Sequence, residues 1–143
     1  PVTVPERTTV TDVCKTLARA RSDAALLTGA DGGMTGIVTA IDFIRRVVAM
    51  GVDPDATAAS DVMTPNPTTV LTEDSAMEAL SIMLARHFRH LPVRTSSRGE
   101  VTGVLDIAKC LYDAVSRLQR TAKRKSVDSG DANAAEMSML AEL

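Results

Sequence analysis

The sequence predicts a mixed α/β (α+β) fold made of two copies of one strand–helix–strand–strand–helix unit. Three observations carry that expectation. Apolar residues alternate between helical spacing and short runs suited to buried strands. The same order of elements occurs twice. Residues of matching kind also recur at a fixed offset: Val4 and Val70, Thr9 and Ser75, and Asp12 and Glu78 are 66 positions apart, while Gly36 and Gly103, and Asp42 and Lys109, are 67 apart. The second hairpin turn therefore carries one extra residue. One copy alone would leave a sheet face bare, and pairing two copies covers it.

In the first copy, Val2 to Val4 is a short β-prone segment interrupted by Pro5. Thr9-Val10-Thr11-Asp12 has the spacing of a capping box. Val10, Val13, Cys14, Leu17 and Ala18 then follow an amphipathic helical rhythm, which predicts a buried, reduced thiol at Cys14. Ala24 to Leu27 reads as a buried strand, Gly29 to Gly33 as a turn, and Met34 to Val38 as the returning strand of a hairpin. The next helix places Phe43, Ile44, Val47 and Val48 on its inner face and ends at Gly51. Val52 to Ser60 is a connector. Asp61 to Pro67, with prolines at 65 and 67, is expected to be extended.

From Val70 the order repeats. Ser75-Ala76-Met77-Glu78 is another capping box, and Ala76, Ala79, Leu80, Met83 and Leu84 form the helix stripe. His90 to Val93 and Val101 to Leu105 are strands around a turn at Ser96 to Gly99, and Ile107, Ala108, Leu111, Val115 and Leu118 face inward on the last helix. Met63, Met77 and Met83 read as core packing. Beyond Arg120, Lys123-Arg124-Lys125 reads as a solvated helix end, Ser126 to Ala132 as a polar linker, and Ala134 to Leu143 as a helix too short to be stable alone. The expected organisation is a first unit at 1–54, a second at 55–120 that includes the linker strand, and a tail at 121–143.

Composition narrows the function classes. The 143 residues are 45% hydrophobic and 24% charged, with no Trp, one Tyr and two Phe. So few rings offer little to stack against single-stranded nucleic acid, and a formal charge of −2 does not suit a polyanion-binding surface. No apolar run approaches the roughly 20 residues that cross a bilayer. The chain opens Pro1-Val2-Thr3, which reads as a piece of a longer polypeptide without a signal leader. Cys14 and Cys110 lie far apart with no metal-ligand spacing, and His87 and His90 lack a third ligand, so no metal site is expected. An intracellular, cytoplasmic setting fits. No nucleophile–base pair or phosphate-cradling glycine loop suggests an enzyme.

The chemistry concentrates at Gly36-Ile37-Val38-Thr39-Ala40-Ile41-Asp42, a strand running into a helix that opens with a hydroxyl and a carboxylate three residues apart. Two readings stay open. Thr39 can accept from a first-turn N–H while Asp42 reaches back, which only caps the helix. Alternatively, Thr39 donates to a phosphate and Asp42 accepts from both hydroxyls of a ribose. Arg86-His87-Phe88-Arg89-His90 is similarly double-edged: it complements a helix C-terminus, or it offers cations to phosphate.

Taken with Asp61-Val62-Met63-Thr64-Pro65-Asn66-Pro67 and Phe88-Arg89-His90-Leu91-Pro92-Val93, the duplicated segment resembles a CBS-domain pair (Bateman module) over roughly residues 2–118. More narrowly, residues 88–93 and 105–114 resemble the first pair of plant-type proteins with four CBS units and a Phox-and-Bem-type domain. The resemblance implies two βαββα units related by a pseudo-twofold, with packed sheets and two clefts for adenosine-containing ligands. Carried over, Thr39 and Asp42 would face Arg89 and His90 across one composite cleft, with adenine against Thr3, Val4, Ile37 and Val38. The sister cleft departs from the pattern: Asp106 replaces the threonine, Lys109 the aspartate, and Asp23 and Ala24 the basic pair. It is expected to lack nucleotide and to be closed by Lys109 bonding a carboxylate.

The expected function is a regulatory module, not an enzyme. It binds AMP, ADP or ATP, with Mg²⁺ only alongside the nucleotide and no tightly bound cofactor, and relays occupancy to other domains of its parent chain. The alternative is a ligand-free scaffold that dimerises through its helices, as pairs of this kind stack into homodimers.

Overall fold

The computed structural model describes residues 1–97 and 99–129. Two compact units emerge, Pro1–Leu105 and a second beginning at Asp106. In the first, β1 (Thr3–Pro5) leads to α1 (Val10–Ala20), then the hairpin β2 (Ala24–Thr28) and β3 (Met34–Thr39). A helix follows as one α-turn, α2 (Ala40–Phe43), continuing into a π-helical turn (Ile44–Val48). A short α3 (Ala59–Val62) and β4 (Thr64–Pro65) connect to β5 (Val70–Leu71), α4 (Ala76–Arg86), β6 (His90–Arg94) and β7 (Val101–Asp106). The second unit holds α5 (Ile107–Ser129).

The duplication is visible in the elements. Helices α1 and α4 are both 11 residues long and 66 positions apart, and strands β2 and β6 are both 5 residues long at the same offset. Their ends match too. The Thr9 hydroxyl accepts from Asp12 N–H at 3.3 Å and the Ser75 hydroxyl from Glu78 N–H at 3.1 Å. Both helices stop at a left-handed residue, Arg21 (φ 50°) and His87 (φ 56°), whose N–H turns back onto the last helical turn.

Strands pair as β1–β2–β3–β4 in one sheet and β5–β6–β7 in another. Within the first, β1 and β2 are parallel, while β2–β3 and β3–β4 are antiparallel. Side-chain alternation along the strands divides the core. Ala25, Leu27 and Val38 point toward the helices, packing with Val13, Leu17, Phe43 and Val47. Ala24, Leu26 and Ile37 point the other way and meet Val101 and Val104 of β7, so the two sheets pack together as the fold class requires.

Several expectations need correction. Cys14 is exposed, because α1 buries only the narrower line of Val10, Val13 and Leu17; partial desolvation still pushes its thiol pKa up. Ile44 and Val48 are 56% and 74% exposed. The π-turn closes with an i to i+5 bond from Ala49 N–H to Ile44 O, and this wider turn rotates both residues outward while Phe43 and Val47 stay inside. On α4, Ala79 and Met83 are buried, whereas Ala76, Met77 and Leu84 are exposed. On α5, Ile107 is half-buried, but Ala108, Leu111, Val115 and Leu118 are exposed. That helix also runs through Lys123-Arg124-Lys125 to Ser129 instead of yielding to a linker; the stretch contains neither Gly nor Pro, and Lys and Arg favour helix. Residues 134–143 lie outside the described residues. Asp61 and Val62 end a helical turn rather than extending, since that turn seats Ala59 and Val62 in the core.

Strand β4 approaches β3 closely. A Cβ on Gly36 would collide with the Met63 side chain and lie 3.0 Å from the Thr64 carbonyl oxygen. Gly36→Ala is expected to push β4 off β3 and to cost about 1–3 kcal/mol. Urea unfolding measures the cost, and faster hydrogen exchange at Thr64 and Asn66 localises it.

Candidate functional site

Strand β3 delivers Thr39 to the start of α2 in extended geometry, three residues before Asp42. The Asp42 Oδ2 accepts from Thr39 N–H at 2.9 Å and from the Thr39 hydroxyl at 2.8 Å. Asp42 thus reaches back as a cap and its own N–H faces the Thr39 hydroxyl, completing the expected capping box, while that hydroxyl also donates to the carboxylate. Oδ1 lies 3.7 Å from Arg46 Nε, too long for a hydrogen bond, and so retains acceptor capacity. The same Arg46 donates to the carbonyls of Val62 and Met63, pinning the helix to the linker. The Asp42 side chain is only 14% exposed, which limits screening of its charge.

The opposite pole comes from the entry to β6. His90 Nε2 lies 3.0 Å from Asp23 Oδ1, and Arg89 Nη1 lies 3.4 Å from Asp23 Oδ2. Asp23 immediately precedes β2, and its backbone carbonyl accepts from Ala40 N–H at 3.0 Å, at the first turn of α2. One residue therefore touches both poles.

Between these poles lies a cleft of about 600 Å³. Thr39, Asp42 and Arg45 line one side, the 64–68 linker another, and Phe88, Arg89 and His90 a third, with Ile37 also in the lining. Thr39, Asp42, Ile37, Arg89 and His90, expected to share a space, do share one. Thr3, Val4 and Val38 do not line it. Val38 neighbours Ile37 on β3 and so points to the opposite face, where it is fully buried against the helices with Val4. Thr3 lines a separate cleft of about 480 Å³ beside the hairpin turns, with Arg94 and Glu100. Adenine cannot rest on all four residues at once.

Sequence reasoning missed Asp23, Arg45 and the linker residues Thr64, Asn66 and Thr68 as lining. Asp23 had a signal: it occupies the position 66 before Arg89. Just before α5, the Asp106 carboxylate accepts from Ala108 N–H at 2.9 Å and caps the helix start. Lys109 is exposed, and its expected bond to a carboxylate is not found among the described residues.

The arrangement places a carboxylate acceptor on one side of the cleft and a guanidinium with an imidazole on the other. A carboxylate can accept both hydroxyls of a cis-diol, and a guanidinium can fork onto phosphate oxygens.

A family model for the CBS domain matches residues 1–49 and 59–114. The chain is 49% identical over 125 residues to the CBS domain-containing protein CBSCBSPB3 of Arabidopsis thaliana, covering 87% of this chain and 22% of that protein. It is 29% identical over 138 residues to the meiotically up-regulated gene 70 protein of Schizosaccharomyces pombe, covering 90% of this chain and 19% of that one. The chain thus spans about a fifth of the length of these relatives. Among solved structures, the CBS domain protein PAE2072 from Pyrobaculum aerophilum, complexed with AMP, is similar at 34% identity and a TM-score of 0.68, covering 76% of this chain and 81% of that one.

Proposed function

Since this chain belongs to the CBS-domain family and carries two CBS units, we propose that it is a regulatory module binding an adenosine nucleotide in the cleft between Asp42 and Arg89. The single observation that carries this reading is that Thr39, Asp42, Arg89 and His90 line one space large enough for such a ligand. The AMP complex of a relative 34% identical supports it. In this reading Asp42 accepts from the ribose hydroxyls, Arg89 and His90 hold phosphate, and Ile37 gives adenine an apolar surface. Mg²⁺ enters only with the nucleotide, and no bond is made or broken. Occupancy is relayed, by unequal affinity for two arrangements of the units, to the rest of a longer chain with further CBS units and a Phox-and-Bem-type domain. The two CBS repeats divide near residue 55, and the setting is intracellular. Calorimetric titration with AMP, ADP and ATP, with and without Mg²⁺, tests the reading; heat from at least one nucleotide is expected.

A second reading, a dimerisation scaffold, is favoured by one observation. Leu111, Val115 and Leu118 follow one another at helical spacing on α5 and are 49%, 51% and 70% exposed. Sedimentation equilibrium is expected to give a dimer that Leu118→Ser weakens. A monomer at all concentrations removes the scaffold.

A further inference from the structure

The cationic pole of the cleft already holds an anion supplied by the chain. Asp23 contributes one carboxylate oxygen to His90 at 3.0 Å and the other to Arg89 at 3.4 Å. It comes from the first repeat, and both of its partners come from the second. It lines the same cleft as Asp42, and its backbone carbonyl holds the first turn of the helix that carries Asp42. Its side chain is 44% exposed, so it has open water to move into, whereas the His90 side chain is 9% exposed and has little.

We propose that Asp23 is a built-in stand-in for the ligand's phosphate: its carboxylate bridges the two repeats, and an incoming phosphate must take its place on Arg89 and His90. This rests on the reading of the cleft as a nucleotide site. A phosphate on Arg89 and His90 is repelled by the neighbouring Asp23 carboxylate, so Asp23 lowers phosphate affinity and selects against weakly charged anions. The residue is thereby a determinant of phosphate affinity, while the nucleoside end of the ligand is indifferent to it. When phosphate displaces the carboxylate, the bridge between the repeats passes from the chain to the ligand. Occupancy then changes what joins the two halves without any new contact elsewhere.

The test compares wild type with Asp23→Asn, which keeps size and one acceptor but removes the charge. Pyrophosphate and adenosine serve as separate probes of the two poles, read by calorimetry and by the ¹⁵N signals of Arg89 and His90. Pyrophosphate is expected to bind Asp23→Asn about 3–10-fold more tightly than wild type, in line with half-exposed charges. The gain is expected to fade in high salt, with adenosine affinity unchanged. Equal pyrophosphate affinity in the two proteins, no pyrophosphate binding to either, or an equal gain for adenosine overturns the proposal. If pyrophosphate discriminates but no adenosine compound binds, the stand-in survives and the nucleotide reading falls; if adenosine compounds bind and pyrophosphate does not discriminate, the reverse holds. Should Asp23→Asn fail to fold, Asp23→Ser and the carboxyl ¹³C signal of Asp23 in wild type decide the matter. That signal is expected to shift on pyrophosphate addition, and its standing still overturns displacement.

Discussion

Asp42→Ala is expected to weaken AMP, ADP or ATP binding by roughly tenfold to a hundredfold. A hydrogen bond to a charged group contributes about 1.5–3 kcal/mol, and in the proposed function the Asp42 carboxylate is the ribose acceptor. The same carboxylate closes the helix start through the Thr39 N–H and hydroxyl, so removing it also costs about 0.5–2 kcal/mol of stability. The two losses separate with Asp42→Asn. Asparagine still accepts from the Thr39 N–H, which spares most of the cap, but its neutral amide accepts poorly from two hydroxyls at once. Calorimetry should therefore show Asn close to Ala in affinity, while thermal melts show it close to wild type. A full-strength nucleotide complex in both variants would assign Asp42 to capping alone.

How much of this was legible in the sequence depends on whether a feature is set by local spacing or by what lies across from it. The doubling, both hairpins and the two capped helices follow from periodicity and turn chemistry, and the fold carries them at the expected offsets. The gathering of Thr39 and Asp42 with Arg89 and His90 came from the family resemblance, since those residues lie about 50 positions apart in the chain. Other features needed neighbours. Ile37 and Val38 are equally apolar, and only the pairing of β3 with β2 decides which faces the cleft and which the helices. The π-turn at Ile44–Val48 leaves a stripe that looks regular on paper and turns two of its members to solvent. Cys14 sits beside the buried line of Val10, Val13 and Leu17 and is left exposed, which helical spacing alone does not reveal. Asp23 looked like a missing cation in one pocket, yet its carboxylate is the anion in the other.

The same division between buried and exposed apolar residues makes Leu27→Ala a strongly damaging substitution, at about 2–5 kcal/mol. Leu27 is fully buried in the helix-facing core, on the central strand pair opposite Gly36. Its carbonyl also accepts from the Thr35 hydroxyl at 3.3 Å. Truncating it opens a cavity beneath β3, the strand that presents Ile37 and Thr39 to the cleft. For a chain of this size the melting temperature should fall by roughly 5–20 °C. Leu84→Ala is the matched contrast. It deletes the same atoms from a helix position 57% exposed, so a monomer should lose no more than about 0.5 kcal/mol. A larger loss at Leu84 that grows with protein concentration would mean that a second copy covers α4, and the scaffold reading would then gain a second helix beside α5.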